Sequence, residues 1–318
     1  MADRFDGMST HAEPLRRGLV SHCYRMLGSV SEAEQLAALS LQVCSEHPEP
    51  PTADELRRSL YGVATWECLA QATKRLLPTS LAGPSDDPEG ELAERPEVTW
   101  LEPIPDAMTD GRPIGLDMVA ALQRLPARER AAFILTDIEG WTLEQAADAI
   151  RTTAAELSEA KSAYNPAPAH VADQPDLLHR YATAFEQYDV PTIVGFFTDD
   201  AIWEMPPYTS WFRGGRNIGR LISTHCPAKG PGDQVLLPIR ANGQPGFAVY
   251  MRDPVENVHR AFQLQVLALT AAGIIHAVAF FDTTLFDAFN LPDLLTGLPE
   301  NPYDGRPRVH IERIPRQH

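Results

Sequence analysis

The sequence has no long apolar runs and few cysteines. No segment approaches the roughly 20 consecutive apolar residues of a membrane-spanning helix, and residues 1–14 contain no hydrophobic core of a signal peptide. The four cysteines are widely spaced, without a CxxC pair or an adjoining histidine cluster, which argues against disulfides and zinc ligation. These absences predict a cytoplasmic protein with no membrane association and no metal site.

Positive charge is also scarce. Lys and Arg number 27 against 43 Asp and Glu, which gives a formal net charge of -16. This balance argues against a general binder of nucleic acid or acidic membranes unless a local basic stripe is present. The most DNA-like segment, residues 116–165, has five cations against eight acidic residues. No basic stripe compensates for the acidic total.

Residues 125–165 nevertheless have the pattern of a helix-turn-helix. An apolar helix leads into a tight corner at 139–142, where Thr142 is placed to cap the next helix. A second amphipathic helix follows, and a last helix opens after two threonines. Such a recognition helix draws much of its affinity from phosphate neutralisation, yet residues 152–165 contain a single cation, Lys161. The helix-turn-helix architecture indicates binding to nucleic acid, whereas the charge of the last helix argues against it.

Periodicity divides the chain into helical, linker and α+β parts. Helical patterns give way to an acidic Pro/Gly-rich stretch, and short strand-like runs appear in the C-terminal half. The C-terminal part is expected to hold a curved antiparallel sheet. The predicted parts are a helical domain over 12–77, a linker over 78–113, a helix-turn-helix domain over 114–165, an α+β domain over 172–296 and a disordered tail over 297–318.

Several motifs together carry a resemblance to a known family. The helical block contains SHCYRMLGSVSEAEQL, the helix-turn-helix contains LPARERAAFILTDIEGWTLEQAADAI, and the C-terminal part contains MPPYTSWFRG and FFDTTLF. In combination they resemble bacterial sigma-70-family factors of the extracytoplasmic-function (ECF) class with a fused SnoaL-like domain. The resemblance implies sigma region 2-like and region 4-like helical domains followed by a SnoaL-like α+β cone. Its implied partners, where sigma activity is retained, are core RNA polymerase and promoter DNA.

Some positions depart from the pattern of that family, and they do so by losing polar or cationic groups. Gln35 stands where the family has an acid, and small apolar residues follow where it has a Gln–Glu pair. The last helix ends without the arginines that the family commonly has there. These departures predict degenerate polymerase and DNA contacts. If DNA binding is retained, the residues expected to serve it are Arg57, Arg58, Lys74, Arg75, Arg151, Thr153 and Lys161.

The C-terminal strands carry aromatic and polar residues suited to a pocket for a small molecule. The residues expected to bind a substrate are Trp203, Met205, Tyr208, Trp211, Arg240, Asn242, Phe247, Tyr250, Gln263 and Gln265. Acid–base catalysis needs a His or carboxylate tuned by burial, and the candidates are Glu204, His225, His276 and Asp282. An extended strand would separate His276 and Asp282 by about 20 Å, which excludes a direct dyad. With no phosphate loop or Ser-His-Asp arrangement in the sequence, a site without a cofactor is expected.

Three functions fit these observations. The preferred prediction is a sigma-derived protein that has left transcription and catalyses cyclisation, isomerisation or dehydration of a polyketide-like or other natural-product intermediate. The alternative is a working ECF sigma factor for promoter-specific initiation, regulated by its SnoaL-like domain. The third is a ligand sensor or scaffold without catalysis. Fold alone does not choose among them, and the sequence leaves the ligand and the oligomeric state open.

Overall fold

A computed structural model describes residues 3–45, 52–72, 83–112, 114–161 and 174–296. The chain divides into two compact units. The helical unit comprises Met1–Leu77 and Thr99–Pro168, and the C-terminal unit comprises Pro78–Val98 and Ala169–His318. The predicted tail over 297–318 lies outside the described residues, as do Lys74, Arg75 and the side chain of Lys161. Across the described ranges, no helix is long and apolar enough to cross a membrane.

The described part of the helical unit consists of helices joined by short connections. Its helices are α1 (Asp3–Leu27), α2 (Val30–Ser45), α3 (Ala53–Ala72), α4 (Leu116–Gln123), α5 (Ala127–Phe133), α6 (Leu143–Ile150) and α7 (Ala154–Lys161). The chain continues from α5 through one π turn over Ile134–Ile138. α1 begins at Asp3 rather than near residue 12.

The predicted corner of the helix-turn-helix is confirmed. The Thr142 hydroxyl accepts a hydrogen bond from the backbone N–H of Gln145 at 3.2 Å, and the Gln145 side chain accepts one from the N–H of Thr142 at 3.0 Å. This capping box satisfies backbone donors at the start of α6. Gly140 has a φ of 73°, in the left-handed region that glycine adopts without strain. The turn chemistry therefore fixes where the corner lies.

The first part of the predicted linker over 78–113 belongs to the C-terminal unit. A short strand, β1 (Gly83–Pro84), pairs in parallel with residues 210–211 at the edge of the sheet. Further along, Leu92 packs against the hydrophobic core of that unit. This part is therefore ordered against the sheet, because it supplies backbone hydrogen bonds and an apolar side chain.

The second part of the predicted linker, residues 99–112, belongs to the helical unit. Ile104 is fully buried there. The Glu102 carboxylate accepts a hydrogen bond from the N–H of Val30 at 2.6 Å, at the start of α2, and its backbone oxygen accepts one from the Tyr24 hydroxyl, also at 2.6 Å. An acidic side chain at a helix N-terminus is favoured by the helix dipole. This part of the linker is a structural component of the helical unit.

The C-terminal unit has the predicted α+β architecture. Its helices are α8 (Pro175–Glu186), α9 (Val190–Val194), α10 (Gly215–His225) and α11 (Leu285–Ala288). Its strands, besides β1, are β2 (Phe197–Glu204), β3 (Ser210–Arg213), β4 (Gln234–Ala241), β5 (Gln244–Asp253), β6 (Val258–Thr270), β7 (Gly273–Phe280) and β8 (Leu294–Leu295). The order in the sheet is β1-β3-β2-β7-β6-β5-β4, and β8 pairs with β6.

The pairing within this sheet is mostly antiparallel, and two register shifts bend its long strands. The hairpin between β4 and β5 turns at Asn242 and Gly243, whose φ values of 59° and 71° suit the tight turns that match strand twist. β2 and β7 pair in parallel, which the strand patterns did not indicate. The extra residues are Phe262 of β6, opposite Val249 and Tyr250, and Ile275 of β7, opposite Ala268 and Leu269, and bulges of this kind increase twist and curvature.

Candidate functional sites

The carboxylate of Glu139, at the corner of the helix-turn-helix, is the centre of a buried ion-pair network. Its side chain is 0% exposed. Arg112 donates to its two oxygens at 2.8 and 3.0 Å, and Arg57 of α3 donates to Oε2 at 2.9 Å. Arg25 of α1, with a side chain 1% exposed, lies 3.7 Å from Oε1. One carboxylate therefore connects the helix-turn-helix to three other segments of the helical unit.

The cations of this network are held by more than Glu139. Asp110 pairs with Arg112 at 2.5 Å and lies 3.9 Å from Arg25. Burial lowers the pKa of Arg25, and the two carboxylates oppose that effect. Burial also acts against the charge of Arg112, but its hydrogen bonds to Asp110 and Glu139 prevail and raise its pKa. A buried guanidinium keeps its charge only while such partners remain in place.

The helix-turn-helix contacts α3 at two further side chains beyond Arg57. The rings of Tyr61 and Trp141 have centroids 6.4 Å apart. One turn further along α3, the guanidinium carbon of Arg151 lies 4.4 Å from the centre of the Trp66 ring, a cation–π geometry. A spacing of four residues keeps Arg57 and Tyr61 on the same side of α3, whereas the five residues from Tyr61 to Trp66 turn the helix by about 140°. The helix-turn-helix therefore contacts more than one side of α3.

The predicted DNA-contact residues within the described ranges have mixed surroundings. Arg57 and Arg151 contact groups of the helical unit itself, as given above. Thr153 caps α7, since its hydroxyl accepts from the N–H of Glu156 at 3.3 Å. Arg58 is exposed on α3. Arg57 and Arg151 are exposed too, but their guanidinium groups contact Glu139 and Trp66.

The acidity of α7 is in part structural. The Glu156 carboxylate accepts hydrogen bonds from the Thr152 hydroxyl and, at 3.0 Å, from both the N–H and the hydroxyl of Thr153. These bonds, that of Thr152 first, lower the pKa of Glu156. A carboxylate placed this way satisfies the helix start in the manner of a capping box. One of the negative charges that conflicts with DNA recognition therefore has a local reason.

The interior of the C-terminal unit is lined by stacked aromatic rings. Tyr181 of α8 stacks on Phe247 of β5 with ring centroids 5.6 Å apart, and it contacts Phe185 at 4.7 Å. Phe185 in turn stacks on Trp203 of β2 at 6.4 Å. The Tyr181 hydroxyl donates to Oε1 of Gln265 at 2.9 Å, and burial raises its pKa well above the usual value. The phenol therefore stays a neutral donor.

Half of the predicted substrate-binding residues meet in or beside this interior. Those five are buried: Trp203, Met205, Phe247, Gln263 and Gln265. The other five are Tyr208, Trp211, Arg240, Asn242 and Tyr250.

The structure places these other five near the sheet edge, in the β4–β5 hairpin or on the other face of the sheet, and Asn242 and Tyr250 among them are buried as well. Tyr208 and Trp211 are half-buried near the β3 edge. Arg240 is exposed and donates to the carbonyl of the β4–β5 turn at 2.9 Å, and Asn242 forms that turn. The Tyr250 hydroxyl donates to a backbone oxygen of the segment before β8 at 2.9 Å. These residues do not share the aromatic interior, because four of them lie near the sheet edge or in the β4–β5 hairpin, and Tyr250 faces the side of β5 opposite Phe247 and packs on Phe286.

Two of the predicted catalytic residues form a pair that the sequence did not indicate. Nε2 of His276 lies 3.1 Å from Oε1 of Glu204, and the two side chains are 29% and 36% exposed. Residues of β2 alternate between faces, so Glu204 points away from the face that carries the buried Trp203. The pair therefore lies outside the aromatic interior, in contact with solvent.

The other two predicted catalytic residues are separated from that pair. Asp282 follows β7, is exposed, and accepts hydrogen bonds from the N–H and hydroxyl of Thr284 at 2.9 and 2.6 Å. It is not on a strand, so the spacing expected for an extended chain does not apply. His225 ends α10 and is half-buried. The four residues do not form one catalytic cluster in the described part of the chain.

Sequence reasoning missed two arrangements that depend on tertiary pairing. The Glu204–His276 pair exists because β2 and β7 are neighbours, with Ile202 opposite His276. The network around Glu139 exists because three distant segments bring arginines to one corner. The signal in the sequence for the network was Glu139, an acidic residue directly before the corner glycine.

Comparison with known proteins identifies the family of this chain. Residues 116–155 match the family described as Sigma-70, region 4. The chain is 43% identical to the ECF RNA polymerase sigma factor SigG of Mycobacterium tuberculosis, with 92% of this chain and 86% of that protein covered. It is 27% identical to the ECF RNA polymerase sigma factor SigJ of the same organism, with 90% and 93% covered. A crystal structure of SigJ superposes with a TM-score of 0.60 at 20% identity, covering 88% of this chain and 98% of that one.

The helix-turn-helix is thus a sigma-70 region 4. Identity at this level over nearly the whole chain shows that the protein belongs to the ECF RNA polymerase sigma factors. The likeness to the SigJ structure shows the same fold, in which a helical N-terminal part precedes a SnoaL-like α+β domain. The family and fold class indicated by the sequence motifs are confirmed.

Proposed function

We propose that the protein is a working ECF sigma factor, which binds core RNA polymerase, directs initiation at specific promoters and is regulated by its SnoaL-like domain. The observation that carries this proposal is the 43% identity to a sigma factor across both units of the chain. Similarity confined to the C-terminal domain would have favoured a protein that had left transcription. Its partners are then core RNA polymerase and promoter DNA.

The surface of α2 supports binding to the polymerase. Leu39 and Val43 are 39% and 41% exposed, and a spacing of four residues places them side by side on the helix. Exposed apolar pairs of this kind suit a helix-to-helix interface, where burial from water supplies the affinity. Small and apolar residues replace the polar pair of the family in α2. They therefore offer the polymerase an apolar contact in place of a polar one.

The contact between α3 and the helix-turn-helix supports a closed state of the helical unit. In a sigma factor these two parts read separate promoter elements, and one turn of DNA alone spans about 34 Å. The rings of Tyr61 and Trp141 cannot stay 6.4 Å apart when their modules lie on different turns of the DNA. We therefore propose that the described conformation is closed and that binding to polymerase opens it.

The divided linker supports regulation by the SnoaL-like domain. Residues 83–84 pair with the sheet edge of the C-terminal unit, while Glu102 and Ile104 belong to the helical unit. A change in the sheet edge can reach the helical unit through this covalent connection. Coupling of this kind requires that both ends of the linker shift the same conformational equilibrium. In this proposal, that equilibrium is the closed-to-open transition of the helical unit.

The prediction of an acid–base enzyme has less support. The Glu204–His276 pair is partly exposed rather than buried among aromatic rings, and Asp282 is engaged in a local turn. A catalytic acid or base needs an environment that tunes its pKa. Sigma activity is therefore the function that the observations favour.

The association with polymerase is tested by mixing the full-length chain with core RNA polymerase and resolving the mixture by size exclusion. We expect a stable complex with the wild type and weaker association for the double variant Leu39→Asp/Val43→Asp. The matched control is Ser223→Asp, an exposed change on α10, and it should bind as the wild type does. Failure of the wild-type chain to associate would contradict the proposal.

A further inference from the structure

The C-terminal unit contains a stretch without acidic residues. Residues 205–232 include Arg213, Arg216, Arg220 and Lys229 and no Asp or Glu, in a chain with a formal net charge of -16. The three arginines are exposed. Exposed cations without interspersed acids create a local positive potential even on an acidic protein. Arginine in particular suits oxyanions, because its planar fork binds two oxygens at once.

The three arginines lie on adjoining elements. Arg213 ends β3, and Arg216 and Arg220 lie on α10. The side-chain amide of Asn217 donates to the backbone oxygen of Arg213 at 3.1 Å, which holds the end of β3 against the first turn of α10. A spacing of four residues places Arg216 and Arg220 on one side of the helix, away from the buried Ile218. We call the three arginines the cationic strip.

One member of the cationic strip already binds an oxyanion. Nε and Nη2 of Arg220 donate to the two carboxylate oxygens of Glu89 at 3.2 and 3.0 Å. Arginine binds a phosphate group in the same paired arrangement. Among the residues that the structure describes, no acidic side chain pairs with Arg213 or Arg216. The strip therefore has cations to spare for a larger anion.

Glu89 belongs to the acidic segment 86–91, which the fold holds beside the cationic strip. Directly before this segment, the backbone N–H of Ser85 donates to the oxygen of Trp211 on β3 at 2.9 Å. The side chains of Arg220 and Glu89 are 45% and 53% exposed, and ion pairs this exposed contribute little stability. Another oxyanion can therefore replace the Glu89 carboxylate while the backbone of the segment stays in place.

We propose that the cationic strip binds the phosphate backbone of double-stranded DNA and that Glu89 competes with the DNA for Arg220. Carboxylates and phosphates both suit arginine, so the choice of DNA over an acidic protein rests on the proposed sigma function, in which the chain acts on promoter DNA. The contact is made with phosphates and is therefore independent of base sequence. It supplies cations that the acidic α7 lacks.

The test measures binding of the full-length chain to a short, fluorescently labelled duplex of random sequence, by anisotropy over a range of salt concentrations. We expect Arg216→Gln/Arg220→Gln to bind roughly tenfold more weakly and to reduce the slope of log affinity against log salt by about 2. The matched control is Arg240→Gln, which removes an exposed arginine from the β4–β5 hairpin. Equal effects of the two variants, or no binding by the wild-type chain, would overturn the proposal.

A second variant is expected to change the affinity in the opposite direction, which a loss of folding would not do. Glu89→Gln removes the competing carboxylate and should bind the duplex about threefold more tightly. The matched control is Glu256→Gln, because Glu256 is an exposed acid that pairs with Arg260 in the β5–β6 hairpin. An affinity of Glu89→Gln no higher than that of this control would contradict the competition.

A competitor separates DNA from an acidic protein as the partner of the strip. Unlabelled duplex should displace the labelled duplex from the wild-type chain far more effectively than poly-L-glutamate at the same concentration of charge. Equal displacement by both polyanions would contradict the assignment of DNA. No polymerase is present in these measurements, so their failure is distinct from a failure of the chain to associate with core RNA polymerase.

Discussion

At the scale of single residues, the conformation of the helical unit depends most on Glu139. This carboxylate is fully buried and contacts Arg57 and Arg112 directly, with Arg25 close by. Buried ion pairs add little net stability as a whole, but removing one partner is costly because the others stay buried without compensation. Glu139 therefore matters for the conformation of the helical unit more than its position in a turn suggests.

Replacing Glu139 with Gln should destabilise the helical unit by about 3 kcal/mol, because a neutral amide cannot balance the buried Arg25. The measurement is the free energy of unfolding from urea titration, followed by helical circular dichroism. Asp148→Asn is the control, since it removes an exposed charge from the same motif. A loss no larger than that of the control would show that the network is not structurally important.

His22 predicts how stability depends on pH. Burial, followed by the nearby Arg25 charge, lowers the pKa of His22 to about 3. The folded state therefore keeps this histidine neutral while the unfolded chain binds a proton below its usual pKa of about 6.5, so stability falls as pH drops. Between pH 8 and pH 5 the loss should be about 2 kcal/mol.

The contribution of His22 is isolated by comparing unfolding free energies at the two pH values in the wild type and in His22→Asn. The variant should lose less stability on acidification, and His179→Gln should behave as the wild type. Equal acid sensitivity in the wild type and His22→Asn would contradict the assignment.

Residue chemistry could be predicted from sequence where it is local. The Thr142 cap depends on residues three apart, and the pattern of Thr142 and Gln145 is sufficient to indicate it. The Glu204–His276 pair depends on two strands that are far apart in the chain, so no local pattern indicates it. The predicted pocket residues separate for a different reason: strand alternation places Phe247 and Tyr250 on opposite faces of β5.

At the scale of elements, two glycines predict opposite effects of the same substitution. A Cβ on Gly62, in α3, would stand 3.9 Å from the Cβ of Ala149, an ordinary contact. A Cβ on Gly246, in β5, would stand 2.1 Å from the backbone oxygen of Gln265 on the neighbouring strand. The first site tolerates a methyl group and the second does not.

Gly62→Ala should therefore stabilise the protein by about 1 kcal/mol, because alanine favours a helix over glycine. Gly246→Ala should destabilise it by about 3 kcal/mol, because the strands must separate. Thermal melting of the two variants beside the wild type measures both. Stabilisation by Gly246→Ala, or strong destabilisation by Gly62→Ala, would show that the packing described for α3 or β5 is wrong.

The sequence pattern indicated where most strands lie, but it did not indicate which strands pair. The strands β4, β5, β6 and β7 lie where the sequence has short runs rich in β-branched, aromatic and other apolar residues between turn signals. The helical segment before β2 is divided into α8 and α9 near Tyr188, which has a φ of 53°. The parallel pairing of β2 and β7 is a long-range choice, and nothing within either strand specifies it.

At the scale of the whole molecule, a working sigma factor must open its helical unit. Spin labels are attached at two exposed sites through the substitutions Ser59→Cys and Asp148→Cys. The distance between the labels, measured by pulsed electron paramagnetic resonance, reports the separation of α3 and α6. Cys44 and Cys226, the partly exposed thiols, are replaced by Ser, and the doubly labelled chain is measured free and bound to core polymerase.

We expect a short, narrow distance distribution in the free chain and an increase on the order of 30 Å with polymerase and promoter DNA, since the two modules then lie on different turns of the duplex. Glu139→Gln should broaden the distribution of the free chain toward longer distances. A distance that is unchanged by polymerase and DNA would contradict the closed-to-open transition.

Sigma activity is measured most directly by transcription from a library of genomic DNA fragments. Core RNA polymerase is incubated with the library, with and without the purified chain, and the 5′ ends of the RNA are sequenced. We expect a discrete set of start sites that require the chain, share upstream sequence elements and are lost with Leu39→Asp/Val43→Asp. Start sites that are the same with and without the chain would contradict sigma activity.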